Sequence, residues 1–178
     1  MEIIKLVVIL LGSALLFSCC AAPDQPSLDY QQKPFRAHIS WNTDNLTVCA
    51  VMTSLPTTDL SSHNLTLEFT SPDSICGIKI TKNGEFTRVS LGDMEIDAPY
   101  ALGLLNIADF FNIDATVTES SVIELDGVRL NYIKAMSDQG EEYSLFLFPS
   151  SGLPRRICGK INGRECTMDV ISFEFIPQ

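Results

Sequence analysis

Asp93, Glu95 and Asp97 stand at alternate positions, and on a strand that spacing turns all three carboxylates to one face. Such a trio can hold Ca²⁺ or raise one member's pKa by mutual repulsion; a solvated strand face uses the same residues with neither. Cys49, Cys76, Cys158 and Cys166 supply thiols that allow three complete pairings. Cys158 and Cys166 flank Asn162-Gly163, so the turn there decides their relation. A three-residue loop with Gly163 left-handed sets them opposite each other as a disulfide candidate, whereas a two-residue turn puts Cys158 opposite Thr167. Export favours the bridge, and free thiols filling the core are the other reading. Cys-x-x-Cys spacing is absent and only His38 and His63 could join a cysteine site, so no metal and no cofactor is expected. His38 reads as a solvent-facing strand residue and His63 as a loop residue. Gly-x-Ser-x-Gly, His-Glu-x-x-His and a Gly-rich phosphate loop are also missing. The chain is therefore not expected to be an enzyme, and no catalytic residue is nominated.

One thiol has a different setting. Residues Ile3 to Phe17 are apolar apart from Lys5, Gly12 and Ser13, and the run closes on Leu16-Phe17-Ser18-Cys19. A spanning helix needs about 20 apolar residues, so this shorter run reads as a cleaved secretory leader, residues 1–18. Its end resembles the lipobox of bacterial lipoproteins. That resemblance implies that Cys19 receives a diacylglyceryl group and becomes the first mature residue, with Cys20 as the alternative acceptor. The expected partner is then the membrane, reached through acyl chains such as palmitate, each buried CH₂ contributing about 0.8 kcal/mol. The expected location is the extracytoplasmic face of a bacterial cell membrane. A formal charge of −10, unchanged by loss of Glu2 and Lys5, argues against nucleic acid and against docking on anionic headgroups.

Three prolines and no apolar period make residues 19–34 a lipidated tether, leaving 35–178 as one domain. From Phe35 onward the period is two. Phe35, Ala37, Ile39 and Trp41 alternate with polar residues, and similar runs recur between turn signals such as Asn83-Gly84, Asp126-Gly127 and Asn162-Gly163. The pattern predicts a mainly β (α+β) fold: one curved antiparallel meander of about 10 to 11 strands forming an unclosed barrel. Pro99 opens a predicted helix over 99–112 that is apolar nearly all round, and such a helix belongs in the concave face of a curved sheet.

The segments Leu65-Thr-Leu-Glu-Phe-Thr-Ser-Pro72, Ile75-Cys-Gly-Ile-Lys-Ile80 and Gly152-Leu-Pro-Arg-Arg-Ile157, set in such a meander behind a lipobox, resemble the LolA-like lipoprotein-carrier superfamily. The likeness is to its uncharacterised lipoproteins of Gram-positive type. It implies an unclosed barrel that binds acyl chains or whole lipids in its concave face. On that basis Trp41, Phe69, Phe110, Phe111, Tyr132 and Phe146 are candidates to line a ligand cavity, ordinary core packing being the other reading for each. Leu145 to Phe148 present apolar residues to both sides of their strand. The expected function is a membrane-anchored carrier or sensor of a lipid or other amphiphile. The alternative is a module of the same fold with a closed core that meets an envelope protein partner.

Overall fold

The computed structural model describes residues 28–43, 46–56, 63–83, 86–98, 111, 115–137, 140–161 and 163–177. Eleven strands run through them: β1 (Phe35–Thr43), β2 (Leu46–Pro56), β3 (His63–Ser71), β4 (Ile78–Asn83), β5 (Phe86–Leu91), β6 (Met94–Asp97), β7 (Ala115–Leu125), β8 (Val128–Ser137), β9 (Glu142–Leu147), β10 (Pro154–Ile161) and β11 (Arg164–Phe175). All belong to one sheet in the order β6-β5-β4-β3-β2-β1-β11-β10-β9-β8-β7, and every pairing is antiparallel. The sheet is unclosed, as the alternation pattern and the LolA-like resemblance imply. Every pairing joins strands adjacent in sequence except the central seam, where β1 meets β11 from Phe35 opposite Phe175 to Trp41 opposite Met168, and β6 and β7 stand at the two edges.

Alternation decides which face is buried, because residues directly opposite across antiparallel strands share a side. Phe35, Ala37, Ile39 and Trp41 oppose Ser54, Met52, Ala50 and Val48, and the set continues through Leu67 and Phe69 to Ile80. Across the seam it continues through Met168 and Val170 to Ile157, Leu145 and Ile133. All of these side chains are buried. Fully burying a residue such as Leu145 or Ile157 stabilises the fold by about 1.5–3 kcal/mol. The opposite face carries Arg36, His38 and Ser40, of which Arg36 and His38 are exposed.

Turn chemistry fixes the registers. Leu125 opposes Val128, leaving Asp126 (φ 54°) and Gly127 (φ 75°) as a two-residue turn with both residues left-handed, the conformation that Asp-Gly supplies. Ile161 opposes Arg164 in the same way, and this overturns the disulfide expectation. The two-residue connection puts Cys158 opposite Thr167, with Sγ 3.6 Å from Oγ1, and Cys166 opposite Gly159. Cys166 points into the core and Cys158 to the other face. Cys49, Cys76, Cys158 and Cys166 are all free.

Two further expectations shift, and a third lies almost wholly outside the described residues. The domain begins before residue 35: Asp29–Gln32 form a single 3₁₀ turn whose Tyr30 is buried, its ring 5.8 Å from that of Phe173 and 6.3 Å from that of Phe35. His63 opens β3 instead of lying in a loop. No α-helix occurs among the described residues, and the helix expected over 99–112 lies outside them apart from Phe111, which sits in a turn. Phe111 is fully buried, its ring 5.9 Å from that of Phe35.

Candidate functional site

Of the six aromatic residues nominated from sequence, the five described do not converge. Trp41 and Phe69 lie on the apolar face with ring centroids 6.2 Å apart, both buried. Phe111 joins an aromatic cluster on that face with Phe35, Phe173 and Tyr30, in which Phe35 and Phe173 stack at 4.7 Å. Tyr132 and Phe146 oppose each other on the other face, half-buried, with ring centroids 5.4 Å apart and the Tyr132 hydroxyl 3.3 Å from Ser144 Oγ. Phe110 lies outside the described residues. Strand β9 thus divides its apolar residues, Leu145 and Leu147 inward and Phe146 outward.

The apolar face is filled where Phe111, Phe35 and Phe173 meet, and open space lies elsewhere. A hollow of about 700 Å³ opens where β10 stops and β11 continues. The β10–β11 ladder begins at Arg156 opposite Asp169, so the stretch of β11 beyond Asp169 has β1 beside it but no β10 partner. Phe148, Leu153 and Pro154, from the β9–β10 connection and the first residue of β10, border the gap on one side. Proline has no N–H to carry the ladder further. On the other side lie Val170 and Phe173 from the apolar face and Ser40, Asp169 and Ser172 from the opposite face. The hollow is therefore a window between the two faces. A β-bulge sharpens it: His38 opposes Ser172 and Ile39 opposes Val170, which leaves Ile171 as the extra residue, 63% exposed at the rim.

Charge in the window is unevenly shared. Arg156 Nε donates to Asp169 Oδ1 at 2.6 Å, and its Nη2 lies 3.9 Å from Asp126 Oδ2. That hydrogen bond to Asp169 raises the Arg156 pKa further. Arg155 is less engaged: its Nη1 makes a long 3.5 Å hydrogen bond to the Val170 carbonyl and stands 3.9 Å from Asp169. Two guanidinium groups thus share the Asp169 carboxylate, and the closer one holds it.

The remaining sequence candidates are occupied or apart. Arg88 takes both Glu95 at 3.2 Å and Asp97 at 3.3 Å, which ties two of the three alternating carboxylates into exposed ion pairs. Among the described residues no group of three His, Cys, Asp or Glu side chains is placed to hold a metal ion. Burial pushes the Cys166 thiol up, with the neighbouring Cys158 adding to the shift. Arg155, Asp169, Phe148, Leu153 and Ile171 were not nominated from sequence. A signal was present: a turn at Asn162-Gly163 sets a run starting at Arg155 against one ending at Ile176, and the longer run must overhang.

No protein-family profile and no curated protein matches the sequence. Among solved structures, an uncharacterized conserved protein from Thermus thermophilus matches with a TM-score of 0.54 at 13% identity, over 85% of this chain and 84% of that one. The two share a fold. The Pseudomonas aeruginosa MucA/MucB complex matches at a TM-score of 0.47 and 12% identity, over 84% of this chain and 54% of the other. A LolA superfamily protein from Nitrosomonas europaea matches at a TM-score of 0.47 and 13% identity, over 83% and 88% of the two chains.

Proposed function

We propose that this protein is a lipoprotein anchored through Cys19 to the outer face of a bacterial membrane, binding an amphiphilic ligand without catalysing a reaction on it. The observation that carries the reading is the window at β10 and β11. Its volume of about 700 Å³ lies within the 300–1,000 Å³ common for ligand pockets. Phe148, Leu153, Ile171 and Phe173 offer apolar surface beside the polar side chains of Ser40, Arg155, Asp169 and Ser172. Its position supports the reading too. His38, opposite Ser172, is only three residues, roughly 10 Å of strand, from the Phe35 end of β1, where the chain arrives from the proposed anchor.

The test is native mass spectrometry of the unacylated chain (Cys19→Ala, Cys20→Ala), before and after incubation with lipid extracted from bacterial envelopes. One lipid bound per chain, lost in Ile171→Glu with the thermal midpoint kept, supports the proposal. A mass unchanged by incubation removes it. Cys19→Ala alone should release the protein from membranes into the soluble fraction, and retention of a Cys19→Ala, Cys20→Ala double variant refutes the anchor.

A second reading is favoured by one observation: Phe111 is fully buried against Phe35, so the apolar face is already closed at that end of β1. A domain with that core filled can serve as an interaction module. Strand β7, with 11 residues at the edge of the sheet, most of them exposed and none buried, offers a protein partner a backbone to pair with.

A further inference from the structure

We infer that the window takes an anionic amphiphile, its carboxylate or phosphate on the Arg155 guanidinium and its chain against Phe148, Leu153 and Ile171. The inference rests on the ligand-binding reading above and assigns the chemistry of the head. Arg155 is the cation with spare capacity. Among the described residues its five donors make one long bond, to the Val170 carbonyl, and the nearest carboxylate oxygen, at 3.9 Å, lies beyond hydrogen-bond distance. The Asp169 carboxylate that would otherwise repel an anion is held at 2.6 Å by Arg156, which also faces Asp126. Glu174, further along the same face of β11, lies 3.8 Å from Arg36. Of the other groups beside the opening, Ser40 and Ser172 carry hydroxyls, and His38, opposite Ser172, is exposed. An anionic head therefore meets a guanidinium whose flat fork matches two oxygens at once. A cationic head would meet the same guanidinium and be repelled. A chain running away from Arg155 has Phe148 and Leu153 on one side and Ile171 on the other, apolar side chains that line the opening.

Binding of dodecanoate, dodecyl phosphate, dodecanol and dodecyltrimethylammonium, the three ionic probes below their micelle concentrations and the alcohol below its solubility limit, tests this on the unacylated full chain by titration calorimetry. The two anions should bind about tenfold or more tightly than the alcohol, the scale of one charge-assisted hydrogen bond. Arg155→Gln should bring the two anions down to the affinity of dodecanol measured on the same variant, and Arg155→Lys should keep part of the preference. Thermal midpoints within a few degrees of the parent certify that both variants are folded. Equal binding of anions and alcohol, or tightest binding of the ammonium compound, overturns the inference while the ligand-binding reading stands. Failure of all four probes overturns both.

Discussion

Two groups of aromatic side chains, one on each face of the sheet, show what the fold does with similar residues. On one face Tyr30, Phe35, Phe111 and Phe173 meet edge to ring and ring to ring, and all but Phe173 are buried. On the other, Tyr132 and Phe146 touch each other and stay half-buried beside Ser144 and the Arg156–Asp169 pair. Composition does not separate the groups. Register does, because a single-residue step along a strand moves a side chain across the sheet. The first group is core and the second is surface with a polar rim.

The comparison can be broken most sharply at Phe35. Phe35→Ala should lower unfolding free energy by about 3–5 kcal/mol in denaturant titrations, the cost of a large cavity in a sealed core. Phe146→Ala should cost about 1–2 kcal/mol, since part of that ring is already in water. Equal losses at the two positions would mean that the second face is as closed as the first. A pH titration of stability sharpens the contrast further. Burial raises the folded-state pKa of Tyr30 above its ordinary 10.0 and that of Cys166 above 9.0. The unfolded chain then loses these protons first, so stability is constant below pH 9 as far as these groups go. It falls as pH rises beyond 9 and 10, by up to about 1.4 kcal/mol per pH unit for each group. Tyr30→Phe should remove the later part of that fall, and an unchanged alkaline slope would place the phenol in water. The smallest effect is expected from Arg156→Gln: about 1 kcal/mol in the same assay, because Asp169 is more than a third exposed and solvent screens the pair.

Much of the strand plan was legible from sequence, and the reasons are particular. Phe35 to Trp41 alternate without interruption, and Asp126-Gly127 and Asn162-Gly163 suit two-residue turns whose residues need positive φ. Less legible was which way each aromatic faces. Leu145 to Phe148 are all apolar, so their hydrophobicity gives no phase, and only the pairing of Ile133 with Leu145 sets it. The cysteines depended on one choice between a two-residue and a three-residue loop, and the tighter turn separated Cys158 from Cys166. Tyr30 sits among Pro-rich polar residues, and its burial arises from tertiary contacts with Phe35 and Phe173 that no local pattern announces. The window was hidden for a related reason: it comes from two strands of unequal length and a bulge at Ile171, features of pairing more than of either strand alone.

The seam between the first and last strands has a consequence for how the molecule assembles. Five pairings run from β1 out to β6 and four from β7 to β11, each between strands adjacent in sequence, so each half can zip up from local contacts. Joining β1 to β11 brings together nearly the whole length of the domain, the single step that carries a long loop-closure entropy. The same step leaves the two ends side by side, with Ile176 N–H donating to the Pro34 carbonyl at 2.9 Å. A circular permutant that links those ends and opens the chain between β6 and β7 would make the slow joint a covalent one, turning an 11-strand assembly of two wings into a continuous run of hairpins.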